Sequence, residues 1–287
     1  MLLFAKIVAL IGLILGSAED IRTREVPDWL NFGLIFIGVG SALIFSLVES
    51  DYSYIVNSIA GLIVCITLAY LMFYTAQWGG GDSKLLMGLG ALIGLDVYNL
   101  QQVPLLLTLV LNIFIFGAIF GLIWTLVLAI KHWKSFVKRL KAMLYSPKIV
   151  MLRKINLAVS FLLLITIMFV PFVYKLIFFA LMLFLYVSLY LWMFVKSIEE
   201  SCMIKDVDVS KLTEGDWIVK PVIVKGKKIC GPKDLGIKKH QIAELKALKA
   251  KGLIKKVTIK EGMPFVPSFL IGFIVTWIWG NWFLLLF

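Results

Sequence analysis

Residues that would carry metal, redox or serine chemistry are scarce in this sequence. There are three cysteines, Cys65, Cys202 and Cys230, and no two form a C-x-x-C pair. That excludes a zinc ribbon and a dithiol redox motif, and leaves three free thiols as the expectation. The two histidines, His132 and His240, both stand in basic stretches, where solvated side chains are expected. The motifs H-E-x-x-H, G-x-S-x-G and G-x-x-x-x-G-K-[ST] are missing, so metalloprotease, serine hydrolase and P-loop chemistry lose their usual signals. No metal and no cofactor is expected. Charge is scarce as well: 16% of residues, against about 25% in soluble chains.

What fills the chain instead is apolar. Of 287 residues, 61% are hydrophobic, which places the chain in the membrane class. A net charge of +12 would suit a nucleic-acid partner. The basic residues, however, lie between apolar runs, where membrane topology accounts for them. We therefore expect no nucleic acid. A span needs roughly 17–25 apolar residues. The candidates are Leu2–Ala18, Trp29–Val48, Tyr54–Trp78, Leu85–Val97, Val103–Ile130, Ile155–Pro171, Phe172–Val195 and Pro264–Phe287. The first reads as a retained span and not a cleaved signal, because charged residues and seven more apolar runs follow it. The fourth is short and rich in glycine (Gly88, Gly90, Gly94), as expected of a half-span. The sixth and seventh are separated by Pro171, either as a tight turn or as a kink. The fold class expected is an all-α polytopic membrane protein of about eight transmembrane helices.

Charge sets the expected orientation. All of the 29 Lys and Arg except Lys6 and Lys175 fall in the first, third, fifth and seventh loops. The second and fourth loops carry Glu49, Asp51 and Asp96 but no basic residue. The positive-inside rule then puts the basic loops in the cytoplasm and both termini outside. The chain divides into a membrane core (1–130), a basic cytoplasmic loop (131–154), two further spans (155–195), a cytoplasmic insert (196–262) and a last span (263–287). The insert has a loose alternation from Asp216 to Cys230, turning at Lys225-Gly226-Lys227, which predicts a hairpin. Ile242, Leu245, Leu248 and Leu253 predict a helix over 237–253, and 257–260 a further strand. A small α+β unit of roughly 50 residues results, near the lower limit for folding alone. The Lys-rich fifth and seventh loops are expected to meet anionic lipid.

Acidic groups at the edge of a membrane are costly, and two clusters of them stand out. One is Glu19-Asp20 with Glu25 and Asp28, after the first span. The other is Gly79-Gly80-Gly81-Asp82, ahead of the fourth. Three glycines end a helix, permit φ > 0 and let a substrate backbone approach closely. Asp82 reads either as a helix N-cap or as a working carboxylate. Paired carboxylates can hydrolyse a peptide without metal, serine or cysteine. One takes a proton from water, while the other, protonated, hydrogen-bonds the scissile carbonyl.

Gly79-Gly80-Gly81-Asp82 fits the G-x-G-D motif of membrane aspartyl proteases. Asp20 followed by Val26-Pro27-Asp28-Trp29-Leu30-Asn31, the block Gly79–Leu85, and Gly262-Met263-Pro264-Phe265-Val266-Pro267-Ser268-Phe269 together resemble the archaeal prepilin/preflagellin peptidases of the type IV prepilin peptidase family. Glu214-Gly215-Asp216-Trp217 is similar to archaeal members as well. The resemblance implies that Asp20 and Asp82 form a catalytic dyad, with Gly79, Gly80, Gly81, Pro264 and Pro267 around the substrate. Pro264 and Pro267 have a plainer role as helix initiators, and Asp28 and Asn31 as interfacial caps. The implied substrate is a pilin-like or archaellin precursor, whose short basic leader is cut at the cytoplasmic membrane face. Glu19, Glu25 and Asp28 are the acidic patch expected to meet that leader. Bacterial members carry a cysteine-rich cytoplasmic domain and an N-methyltransferase activity, for which the first loop here is too short. A presenilin-like intramembrane protease shares G-x-G-D and is one alternative. An ion-coupled transporter with a helix broken at Gly79–Gly81 is the other.

Overall fold

A computed structural model describes residues 1–99, 103–224, 226–232 and 234–282. The apolar runs fold as helices, the one conformation besides a closed barrel that satisfies every backbone group in lipid. These are α1 (Leu2–Thr23), α2 (Asp28–Val48), α3 (Ser53–Tyr74), α4 (Gly80–Ile93) and α5 (Leu105–Lys131). After them come α6 (Trp133–Leu144), α7 (Pro147–Phe169) and α8 (Phe172–Ile198). Among the described residues six helices, α1, α2, α3, α5, α7 and α8, are long and apolar enough to cross a membrane. α4 has 14 residues, about 21 Å of helix against a hydrocarbon core of about 30 Å. It is the half-length element that its glycines suggested. The last helix, α10 (Val266–Trp279), is equally short and stops at Gly280, whose φ is 55°. The expected run to Phe287 shortens accordingly, and residues 283–287 lie outside the described part.

The core forms where α4 is held between α2 and α3, with α1, α5 and α10 closing the other side. Small residues make this possible, as is usual between membrane helices. A Cβ on Gly61 would stand 2.4 Å from the Gly90 carbonyl oxygen. One on Gly38 would stand 2.7 Å from the Ala91 backbone, and one on Gly272 would meet Ile113 N at 2.9 Å. Leu13, Leu34, Leu85, Leu89, Ile113 and Phe269 fill the centre. Two polar groups buried there are bonded: Ser58 donates to the Ala91 carbonyl (2.7 Å) and Asn112 to Thr276 (2.9 Å).

The expected loop between Ile130 and Ile155 is helical. Trp133, Phe136, Val137 and Leu140 recur at the spacing of one helix face, and Phe136 packs with Ile198 and Cys202. Pro147 then starts α7 two turns earlier than the apolar run does. α7 and α8 are two helices joined by a tight turn, because Val170 is extended and Pro171 caps α8.

The insert holds β1 (Ile204–Asp208), β2 (Trp217–Ile218), β3 (Val222–Val224), β4 (Lys227–Cys230), α9 (Lys239–Ala250) and β5 (Lys256–Lys260). An antiparallel sheet runs β1-β5-β2, and β3-β4 is a separate hairpin. The hairpin expected over 216–230 is therefore shorter. Trp217–Ile218 leave it to pair with Lys260 and Ile259 of β5. Lys225, part of its turn, lies outside the described residues. The strand β1 was not foreseen, because Ile204-Lys205-Asp206-Val207-Asp208 carries three charges in five residues. Val209, Ile218, Cys230, Ile237, Leu245 and Val257 form the insert's own core. All three cysteines are free and buried.

Candidate active site

The two acidic clusters meet at one end of the core. Asp20 lies on the last turn of α1 and is 4% exposed. Its Oδ2 accepts the backbone N–H of Val266 at 2.9 Å, the first residue of α10. The carboxylate thus sits on the N-terminus of the last helix, 246 positions away in sequence. That is where orphan N–H groups and the helix dipole favour an anion. Asp82 stands on the first turn of α4, partly buried. It is at N3, not at the N-cap, which is Gly79. Its Oδ2 reaches back to accept the Gly79 N–H at 3.2 Å, half of a capping box. Asp20 is near enough to act electrostatically on Asp82.

The glycine run works differently from the expectation. None of Gly79, Gly80 and Gly81 has a positive φ. The left-handed residue of this turn is Ala76, at 58°. What the glycines supply is room. A Cβ on Gly81 would lie 3.1 Å from Val26 N and 3.2 Å from Val26 Cβ. The start of α4 therefore lies directly against the backbone of the loop between α1 and α2. Gly16, one turn before Asp20, faces Val266, Leu30 and Leu85, so α1, α2, α4 and α10 converge there. Trp78 fixes the approach to Gly79. Its ring stacks on Phe114 of α5 (5.6 Å) and meets Phe265 and Phe269 at 5.8 and 5.1 Å.

Pro264 and Pro267 frame the N-terminus that holds Asp20. Pro264 is buried ahead of the N-cap Phe265, and Pro267 takes the second helical position, a site that tolerates proline. Arg24 ends α1 in the left-handed conformation (φ 64°). Its Nη1 donates to the Gly262 carbonyl at 2.8 Å, and its guanidinium lies 5.3 Å from the Trp124 ring centre. The same residue thus draws the end of α1 toward the entry to α10. Lys84 pairs with Asp28 at 2.5 Å and lies over the Phe32 ring. Asp28 opens α2, whose N-cap is Pro27.

Asn31 departs from its expected place at an interface. It is 0% exposed, and neither amide atom has a hydrogen-bond partner among the described residues. Ser17 and Ser83 are buried in the same unpartnered state. Ser17 precedes Asp20 by three positions and Ser83 follows Asp82 directly. Their adjacency to the acids was the available sequence signal. The insert also reaches this region. Glu25, in the loop after α1, has its carboxyl raised by partial desolvation. A hydrogen bond with Thr213 pulls it back, and the charges of Asp216, Glu214 and Asp28 push it up again.

The comparisons bear on this half of the chain. Residues 7–133 match the type IV leader peptidase family. The chain is similar to a preflagellin peptidase of Methanococcus maripaludis, 39% identical over 124 residues, 40% of this chain and 52% of that relative. It is also similar to one of Methanocaldococcus jannaschii, 41% identical over 87 residues, 30% of this chain and 37% of that relative. The chain spans about half the length, or less, of the curated relatives it matches. The matched segment contains Asp20, Gly79–Gly81 and Asp82, and does not contain α7, α8 or the insert. Over residues 7–133 the chain is thus similar to the type IV leader peptidase family, in line with the resemblance that its motifs bear to the archaeal prepilin and preflagellin peptidases.

Proposed function

We propose that this protein is a membrane aspartyl endopeptidase that removes the short basic leader from type IV pilin-like or archaellin precursors. Asp20 and Asp82 are its catalytic pair, and the cut is made at the cytoplasmic face of the membrane. The observation that carries this reading is the meeting of Asp20 and Asp82, 62 positions apart on different helices, inside the segment matched to leader peptidases. The names of the similar proteins supply the substrate class.

In this reading the pair shares one proton. The ionised member deprotonates a water, which attacks the scissile carbonyl. The protonated member hydrogen-bonds the carbonyl oxygen as negative charge develops there. The proton on the first carboxyl then goes to the departing amine. Both carboxylates are held by backbone N–H groups, Val266 for Asp20 and Gly79 for Asp82. Such fixed donors hold the pair in place without reorganisation during the reaction. Gly81 is packed against Val26, while Gly79 and Gly80 beside it present an edge without side chains, along which an extended peptide can pass. Pro264 and Pro267 act by fixing the N-terminus of α10, with the substrate passing beside it. Residues 1–130 supply both aspartates, and the insert, 196–262, lies beside the loop after α1. The cytoplasmic orientation is supported by the basic residues of the odd-numbered loops.

The test is to co-express an archaellin or pilin precursor with the chain and to determine the product's new N-terminus by mass spectrometry. A cut after the basic leader supports the proposal. A cut inside the hydrophobic helix would support presenilin-like proteolysis instead. No cut by a folded, membrane-inserted chain would remove the protease reading.

A further inference from the structure

A cavity of about 290 Å³ lies between α7 and α8, outside the segment matched to leader peptidases. Arg153, Lys154, Asn156 and Leu157 line it from α7, and Tyr186 and Tyr190 from α8. Among the described residues no carboxylate lines it. Among the described residues neither Arg153 nor Lys154 has an ion-pair partner, although other basic residues of the region do. Arg139 pairs with Glu200, and Lys196 and Lys260 pair with Glu199. Arg153 acts electrostatically on Tyr186, whose ring stands 5.2 Å from that of Tyr190.

Depth places the cavity at a membrane interface. Arg153 is six residues into α7, about 9 Å along the helix from Pro147 at 1.5 Å per residue. Beyond Asn156 the hairpin is mostly apolar and much of it is uncovered. Leu157, Phe161 and Phe184 are 63%, 62% and 66% exposed. Two unpaired cations and two tyrosine hydroxyls thus border a long bare apolar surface. Arginine binds phosphate through a planar fork, and tyrosine favours the interface. Basic pockets between spans are suited to anionic headgroups. A free phosphate ion would use the cations but not the apolar surface beyond them.

We propose that this cavity binds the headgroup of an anionic phospholipid. Arg153 and Lys154 contact its phosphate, Tyr186 and Tyr190 donate hydrogen bonds, and the acyl chains run along α7 and α8. The proposal does not depend on the peptidase reading.

The experiment uses the full chain in nanodiscs of phosphatidylcholine containing a minor fraction of phosphatidylglycerol, followed by native mass spectrometry of the lipid retained. Wild type should retain phosphatidylglycerol preferentially. R153Q/K154Q should lower that preference about 30-fold, the loss of two surface-level cation contacts. K134Q/K138Q, on α6, should keep it, and millimolar inorganic phosphate should not displace the lipid. Equal retention of both lipids by wild type would overturn the proposal. So would unchanged retention in R153Q/K154Q, equal loss in K134Q/K138Q, or full displacement by inorganic phosphate. Should R153Q/K154Q fail to fold, Y186F/Y190F decides, since wild-type retention there removes the hydroxyls and with them the site.

Discussion

Asp20 caps α10 and is proposed to accept a proton in catalysis, and replacing it in two ways separates the two. Its Oδ2 caps α10 by accepting the Val266 N–H at 2.9 Å. Asp20→Asn keeps an oxygen there, so the cap survives as a neutral bond. Losing the charge at a helix N-terminus costs about 0.3–1 kcal/mol, or up to about 2 when partly buried. Relief of repulsion with Asp82 acts in the opposite direction. The net change for Asp20→Asn should therefore be within about 1 kcal/mol. Asp20→Ala removes the acceptor outright and leaves the Val266 N–H buried without it. That costs about 1–2 kcal/mol more. Both variants lose the carboxylate that the proposed mechanism uses, and cleavage should fall at least 10²–10⁴-fold, the usual worth of a positioned acid or base. The assay pairs thermal unfolding in detergent, followed by tryptophan fluorescence, with precursor cleavage. The expected pattern is Asn folded and inactive, Ala less stable and inactive. If Asn proved as unstable as Ala, the charge itself would be the structural element, and inactivity would report unfolding. If Asn cleaved at the wild-type rate, Asp20 would have no chemical role.

Other perturbations follow from the same geometry. Gly61→Ala places a Cβ 2.4 Å from the Gly90 carbonyl oxygen, so α3 and α4 must separate. A loss of about 1–3 kcal/mol is expected in the unfolding midpoint. Gly81→Ala presses on Val26 backbone at 3.1 Å, whereas a Cβ on Gly79 meets only Asp82 Oδ2 at 3.4 Å, an ordinary contact. Cleavage should suffer clearly more from the first, and equal rates would contradict the close-approach role of Gly81. Ser83→Ala removes a buried hydroxyl without a partner, so stability should hold or rise slightly. A marked fall in the melting temperature would mean that the hydroxyl holds an ordered water. For pH, Asp216 lies in the insert, where burial raises its carboxyl, the Thr213 N–H and hydroxyl draw it back, and Glu261 raises it again. A raised carboxyl is a cost once ionised, present above the unfolded value and relieved as pH falls. Asp216→Asn should therefore stabilise the insert at pH 7 relative to wild type, with the advantage shrinking as pH falls and gone below about pH 4. An advantage that grew on acidification would reverse the sign and refute the assignment.

Helix number and order were legible because membrane spans leave long apolar runs; Pro171 marked a break, and the structure makes it a turn and not a kink. α6 was hidden by its charge. Lys134, Lys138, Arg139 and Lys141 read as a loop until the spacing of Trp133, Phe136, Val137 and Leu140 is weighed. β1 was hidden for the same reason, since three of its five residues are charged. Asp20, Asp82 and the glycines were legible as a pattern, because acids at the ends of apolar runs are expensive. Their setting was not. That Asp20 binds the N-terminus of α10 depends on a contact across 246 positions, which no local pattern encodes. Nor does Asn31 look buried in sequence. Its neighbour Asp28 is an exposed partner of Lys84, and only the approach of α4 to α2 covers the next turn. The positive φ at Ala76 in place of the glycines was equally hidden. It is set by how α3 ends, with the Thr75, Ala76 and Gln77 amides bonded back to carbonyls of its last turn.

The central claim is that Asp20 and Asp82 act as one unit on a precursor's leader junction. Residues that act as a unit lose function non-additively. The direct measurement is single-turnover cleavage of a purified precursor by wild type, Asp20→Asn, Asp82→Asn and the double variant, each confirmed folded. Each single variant should lose at least about 10²-fold, and the double should be no slower than the slower single. Wild-type cleavage by either single variant, or losses that multiply in the double, would contradict the account.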